Sequence, residues 1–268
     1  MLILKLYQAM GKRSEKLVEV YENTLKQIPE ILKDQTIGYS QKINLSDIKF
    51  QNKKQTKIEI WKSDSISAVI KAHSENTSYK ICVLNMASNK RPGGGVKNGA
   101  KAQEEDLFRC STLPLAIPQN LYPLSEGEFI YTNEVYVFKN AQYENITPIK
   151  VDVVSMPAVN LNYGKYNKTT DEYDDKIIEK PSNYAKTMLK KIHAILSVAE
   201  QNKCDTIILG AWGCGVFKND PVDVAHFFKS TLDSGNYKNC FKKIIFPIFN
   251  DKNSRGDNYA VFNKILSS

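Results

Sequence analysis

The stretch ICVLNMASNKRPGGGVKNGAKAQEEDL, Ile81 to Leu107, decides how this chain is read. ICVLN, Ile81 to Asn85, is an apolar run of strand length. It leads into a triple glycine, Gly93 to Gly95, and then into a segment that predicts a helix beginning near Gln103. A buried strand, a glycine loop and a helix in that order are the repeating unit of an α/β fold.

Working outward, the pattern continues in both directions. On the N-terminal side a strand is predicted at Lys57 to Trp61 and a helix at Ser65 to His73. On the C-terminal side short strands are predicted at Phe129 to Tyr131, Val135 to Phe138 and Val151 to Ser155, the first two joined like a hairpin through Thr132 to Glu134. An antiparallel edge of that kind makes the sheet mixed. A polar, Tyr-rich loop, expected to be mobile, covers Asn160 to Glu179, and Pro181 opens a long helix to about Asn202. TIILG then reads as another buried strand running into GAWGCGVF. A helix from Pro221 to about Leu232, a strand at Ile244 to Phe249 and a helix from about Asn258 to Leu266 complete the chain.

Ahead of this core, Leu17, Val18, Tyr21, Leu25, Ile28 and Leu32 recur at near-helical spacing over residues 14 to 34, with Ser14 as the expected N-cap. A polar stretch from about Thr36 to Gln55 separates this helix from the rest. The expected organisation is a helical extension, residues 1–55, packed on a single catalytic domain, residues 56–268. No internal repeat is visible.

The 268 residues are 42% hydrophobic and 25% charged, the profile of a soluble folded protein. A formal charge of +8 draws polyanions, but only Arg13, Arg91, Arg109 and Arg255 carry the guanidinium fork that base and phosphate readers favour. Specific nucleic-acid binding is therefore not expected. The five cysteines form neither a CxxC pair nor a zinc-ligand pattern, and MLILKLYQAM is too short to span a bilayer. These features lead to the expectation of an intracellular protein, in the cytoplasm or the nucleus of a eukaryote, with no membrane contact and no metal, and a monomer is expected.

Glycines without Cβ let backbone N–H groups approach a phosphate or sugar, although an isolated triple glycine is more simply a flexible turn. Gly99 is followed by Ala100 rather than the Lys-Ser/Thr of a Walker loop. The dinucleotide pattern GxGxxG fails in both glycine loops, since Lys218 stands where the second would need its last glycine. The second loop, Gly210 to Phe217, also follows a predicted strand, so the two loops could line one crevice at the carboxyl edge of the sheet. Cys214 shares no motif with His73, His193 or His226 and reads as a spectator.

Glu104 and Glu105 stand where the helix begins. Their mutual repulsion and burial raise a carboxyl pKa, the helix N-terminus lowers it, and an acid poised near neutrality suits glycosidic cleavage. Taken alone, acidic residues in a first helical turn need mean no more than a favourable dipole contact.

The whole string LNMASNKRPGGGVKNGAKAQEEDLFRCSTL, with a seven-residue spacer from Val96 to Ala102 between GGG and QEE, resembles the signature of bacterial-type poly(ADP-ribose) glycohydrolases. GAWGCGVFKNDP resembles that family's second, diphosphate-facing loop. The likeness runs from about Lys57 to the C-terminus. It implies a macrodomain-like three-layer α/β/α sandwich and hydrolysis of ribose–ribose O-glycosidic bonds in poly(ADP-ribose), releasing ADP-ribose without a cofactor. Residue by residue, the resemblance makes Glu105 the catalytic acid and Glu104 the partner that orients the distal ribose, with Asn85 contacting ribose. It puts Gly93, Gly94, Gly95, Val96 and Gln103 from the first loop, and Gly213, Cys214, Gly215, Val216 and Phe217 from the second, around the substrate. Asp64 could accept from the adenine amino group, and Phe249 could either stack on adenine or fill the core. Two other readings stay open: a macrodomain that binds ADP-ribose without cutting it, and a hydrolase of mono-ADP-ribosylated macromolecules.

Overall fold

The structure is a computed structural model that describes residues 2–47, 56–162, 164, 166–167, 172–173, 178–234, 237, 240–251, 254 and 256–267. In chain order its elements are α1 Leu2–Ile31, β1 Ser40–Asn44, β2 Lys57–Trp61, α2 Ser65–Glu75, β3 Ile81–Asn85, α3 Gln103–Cys110, α4 Leu113–Ala116, β4 Glu128–Lys139 and β5 Asn145–Ser155. There follow a short antiparallel pair, β6 Tyr166–Asn167 and β7 Glu172–Tyr173, then α5 Tyr184–Gln201, β8 Thr206–Ile208, α6 Pro221–Asp233, β9 Lys243–Pro247 and α7 Asn258–Leu266.

Seven strands form one sheet in the order β1-β4-β5-β3-β8-β9-β2. β5, β3, β8, β9 and β2 run parallel, and β4 is antiparallel to both of its neighbours. Side-chain alternation divides the sheet's two faces. Cys82, Leu84, Ile207, Ile244 and Phe246 pack against α5, α6 and α7. Ile81, Val83, Ile208 and Ile245 pack against α2, α3 and α4, with Tyr21 of α1. The result is the expected three-layer α/β/α sandwich with a mixed sheet. The parallel strands all end on one edge, so the loops after β3 and β8, which are neighbours, emerge side by side.

Several boundaries differ from the sequence reading. The first helix begins at Leu2, so Ser14 lies inside it and donates through Oγ to Asn98 O at 3.0 Å instead of capping. The inward stripe of α1 is Leu17, Tyr21, Thr24 and Ile28, whereas Leu25 is exposed. The polar stretch after it contains β1, an edge strand with a mixed pattern of burial and therefore no clean alternation. Residues 48–55 of that stretch lie outside the described residues.

Phe129 to Phe138 is not a hairpin but part of one strand. A bulge absorbs Asn133 and Glu134, with Glu134 at φ 51° donating through its N–H to Asp152 Oδ1 at 3.1 Å. The true hairpin joins β4 to β5. α5 starts at Tyr184, three residues after Pro181, whose carbonyl accepts from the Tyr184 N–H at 2.8 Å. β9 stops at Pro247, leaving Phe249 outside the sheet. Much of the loop expected at Asn160 to Glu179 lies outside the described residues, and the pair β6–β7 falls within it.

Asp152 is buried on β5 and also accepts from Tyr131 OH, and it is 2.7 Å from Lys80 Nζ. Asp152→Ala strips these donors of their acceptor and should cost about 3 kcal/mol in urea unfolding. Lys80→Ala, which removes a half-exposed partner, should cost under about 1 kcal/mol. Equal losses from the two variants would contradict this account of the bulge.

Candidate active site

α3 has no side-chain N-cap, and its first turn carries Glu104, Glu105 and Asp106. The loop before it folds back over the helix N-terminus and supplies the missing contacts in reverse, from backbone donors to the acidic side chains. Gly93 N–H donates to Glu104 Oε1 at 3.1 Å and Gly95 N–H to Glu105 Oε1 at 2.9 Å. Between them Gly94, at φ 53°, lies so close that a Cβ would stand 2.6 Å from Glu105 Oε1 and 3.0 Å from Glu104 Oε2. A side chain at this position would be strained by that φ and would push the two carboxyl groups out of place.

Both carboxyl groups are consequently buried, at 4% exposure for Glu104 and 7% for Glu105. Glu104 also accepts from Ser88 N at 2.7 Å and from Asn85 Nδ2 at 3.4 Å. These donors favour its anion. Burial outweighs them, helped by repulsion from Glu105, and pushes its pKa up to about 8. Burial likewise raises Glu105, against the lowering effect of the Gly95 N–H and the Arg109 charge. The two acids differ in one respect that matters for chemistry: Glu105 Oε2 is buried without a partner. Asn85 Oδ1 is in the same condition, while its Nδ2 is also held by Ser155 Oγ at 3.0 Å.

The remaining first-loop residues hold the scaffold together. Gln103 accepts from Met86 N at 2.9 Å and donates to Leu84 O at 2.7 Å and Ser65 Oγ at 3.1 Å, tying the ends of β3, α2 and α3. Val96 is a buried core side chain whose N–H returns to Gly93 O at 2.9 Å.

The second loop is built differently. Asn219 is fully buried and donates to Val159 O at 2.8 Å and Gly213 O at 3.0 Å, while accepting from Tyr184 OH at 2.8 Å. Trp212 is pinned through Nε1 to Met156 O at 2.9 Å. Cys214 N–H returns to Ala211 O at 3.1 Å, and burial raises its thiol pKa, so it is no thiolate nucleophile. The N–H groups of Gly213, Gly215, Val216 and Phe217, by contrast, meet no acceptor among the described residues. A rigid turn with several free donors is suited to an anion. The two loops touch where the Met86 side chain packs 2.8 Å from the position a Cβ on Gly210 would take.

Asp64 caps α2, accepting from Ser67 N at 2.8 Å and Ser67 Oγ at 2.7 Å. Phe249 is 72% exposed just past β9, so of its two expected placements the core is excluded. Ser88, Ser155, Trp212 and Asn219 escaped the sequence reading because each acts through a partner distant in the chain. Among the described residues no group of three or more His, Cys, Asp or Glu could hold a metal ion.

The architecture is that of solved poly(ADP-ribose) glycohydrolases (PARGs). The Thermomonospora curvata enzyme matches with a TM-score of 0.74 at 22% identity, covering 96% of this chain and 99% of that one. Its complex with the inhibitor ADP-HPD gives 0.70 at 22% identity over the same shares of the two chains. The Deinococcus radiodurans enzyme in complex with ADP-ribose gives 0.67 at 23% identity, covering 96% of this chain and 92% of that one. No curated protein sequence matches. Residues 12–140 match the family model "Microbial-type PARG, catalytic domain". That segment holds both the triple glycine and the acidic pair, so the likeness to the family lies where the candidate site does.

Proposed function

We propose that this protein hydrolyses the ribose–ribose O-glycosidic bonds of poly(ADP-ribose) and releases ADP-ribose, with Glu105 as general acid and base. The observation that carries this reading is the split environment of Glu105: one carboxyl oxygen is fixed by the Gly95 N–H, and the other is buried with no partner. Leaving a polar atom in that state is costly for a purely structural residue, or for a module that only binds. It is what a proton donor awaiting a substrate oxygen requires.

In the reaction, protonated Glu105 gives its proton from Oε2 to the departing ribose oxygen as the C–O bond breaks. The oxocarbenium-like ribose that forms is stabilised by the neighbouring diphosphate, whose charge is spread over the free N–H groups of Gly213, Gly215, Val216 and Phe217. Water then adds to the sugar carbon and returns its proton to Glu105. Glu104 and Asn85 orient the ribose hydroxyls, while Asp64 and Phe249 face the adenine end. None of these steps needs a metal or a cofactor.

In this reading residues 56–268 are the catalytic unit, braced by residues 1–55, and act as a monomer on poly(ADP-ribose) or ADP-ribosylated macromolecules rather than on nucleic acid. No described helix is long and apolar enough to cross a membrane. The free cysteines, four of them buried, suit a reducing cytoplasm.

Labelled poly(ADP-ribose) incubated with the protein should yield free ADP-ribose. Glu105→Gln should lower turnover roughly 10²- to 10⁴-fold while ADP-ribose affinity, read by calorimetry, stays within a few-fold. Rapid polymer cleavage by that variant would sink the assignment, and preferential release from mono-modified protein would favour the narrower hydrolase.

Gly213→Ala places a methyl 2.7 Å from both Ala158 Cβ and Asn219 Nδ2 at φ 79°, and so should weaken ADP-ribose binding. An unchanged dissociation constant would remove the second loop from the site.

Glu104 titrates at about 8 in the folded protein against an ordinary 4.5, so the folded state holds its proton more tightly than the unfolded state does. Its presence therefore costs nothing below the unfolded value and costs progressively more stability as pH rises towards 8. The melting temperature of Glu104→Gln minus that of the parent should increase from about pH 5 to about pH 8 and then level off. A flat difference would show that the acid is not held neutral.

A further inference from the structure

We propose that Arg109 is a positioning residue that couples helix α1 to the Gly93–Gly95 loop and so sets the placement of Glu105, an inference that rests on the catalytic reading above. Arg109 lies one turn beyond Glu105 on α3 and is fully buried. Its Nε donates to Leu17 O of α1 at 3.1 Å. Its Nη2 donates to Ala100 O at 2.6 Å and Val96 O at 3.4 Å, and Nη1 lies 3.5 Å from Asp106 Oδ1. One guanidinium therefore joins α1, the loop and α3.

The gripped loop segment is a self-bonded unit. Asn98 N and Ala100 N both return to Gly95 O, at 2.9 and 3.2 Å, and Gly99 N returns to Val96 O at 3.2 Å. Holding the Val96 and Ala100 carbonyls therefore holds Gly95, whose N–H fixes Glu105. α1 makes a second contact at the same turn, through Ser14 Oγ to Asn98 O. Gly99, at φ 73°, lets the helix come so near that a Cβ would be 2.4 Å from Ser14 O.

Other buried polar contacts lock α1 in place. Thr24 Oγ1 donates to Arg109 O, and Lys139 Nζ donates to Asn23 Oδ1 at 2.8 Å and Thr24 Oγ1 at 2.9 Å. A planar fork that serves several carbonyls at once cannot be replaced by the point charge of lysine.

This arrangement separates a geometric role from mere stability. The ionisable groups bearing on Glu105 are Glu104, Asp106 and Arg109, and the Gly95 N–H also lowers its pKa. Arg109→Lys keeps the positive charge but loses the two loop contacts. Gly95 then loosens, Glu105 holds its proton to higher pH, and the alkaline limb of the pH–rate profile moves upward.

The test compares Arg109→Lys and Ser14→Ala with the parent, after circular dichroism has shown which variants fold. Arg109→Lys should lower kcat about 10- to 100-fold with KM little changed and displace the alkaline limb. Ser14→Ala, at a half-buried position, should shift the same limb by less.

Hydrogen–deuterium exchange supplies a readout independent of activity. The amides of residues 93–100 should exchange faster in both variants, while α5 and α6 remain as protected as in the parent. Unchanged loop protection in a folded variant, or a loss of rate with the alkaline limb unmoved, would overturn the proposal. Failure of the parent to cleave polymer would instead count against the catalytic reading, and the exchange measurement would still decide whether α1 braces the loop.

Discussion

Two backbone N–H groups on two buried carboxyl groups govern the rest of this site. Gly93 and Gly95 donate to Glu104 and Glu105, and the backbone passes so close to the acids at Gly94 that a Cβ there would displace their carboxyl oxygens. The acids are kept out of water, their pKa values rise, and one oxygen of Glu105 is left unengaged. A motif that reads as a phosphate cradle thus works first as a clamp on the acidic pair Glu104 and Glu105. The free donors that suit a diphosphate belong mainly to the other loop.

The two loops divide the work because they are stabilised in different ways. The first is held by what surrounds it: α1 on one side, α3 on the other, and a buried arginine between them. The second is held from within, by Asn219 and Trp212, which satisfy carbonyls while neighbouring amides meet no acceptor among the described residues. β3 and β8 are adjacent parallel strands, so the two loops meet at one edge without any further device.

Much of this was legible from the chain itself. Ile81 to Asn85 is a strand with those same boundaries because a central strand buries both faces and reads as a continuous apolar run, whereas Lys57 to Trp61, at the sheet's margin, is legible from the alternation of Lys57 and Glu59 with Ile58 and Ile60. The start of α3 at Gln103 was equally plain. β1 was not legible, since an edge strand with half-exposed side chains carries no periodic signal. The bulge in β4 reads as a turn in the sequence because Asn133 and Glu134 look like turn residues, and only Asp152 on the neighbouring strand explains why the strand continues. Arg109 and Asn219 carry no sequence signal for a common reason: each joins near and distant backbone carbonyls at once, Arg109 those of Ala100 and Leu17 and Asn219 those of Gly213 and Val159, and no local pattern records such a set.

The strand order carries a consequence for how the molecule assembles. β1 and β2 follow one another in the chain yet occupy opposite margins of the sheet. Neither can dock on the other. β1 must wait for β4, and β2 for Lys243 to Pro247 near the end of the sequence. Topologies dominated by such distant pairings fold slowly. During synthesis the β2 strand therefore leaves the ribosome long before its neighbour, exposed to other chains for the whole interval, and its two charged residues, Lys57 and Glu59, are the kind of gatekeepers that discourage premature association.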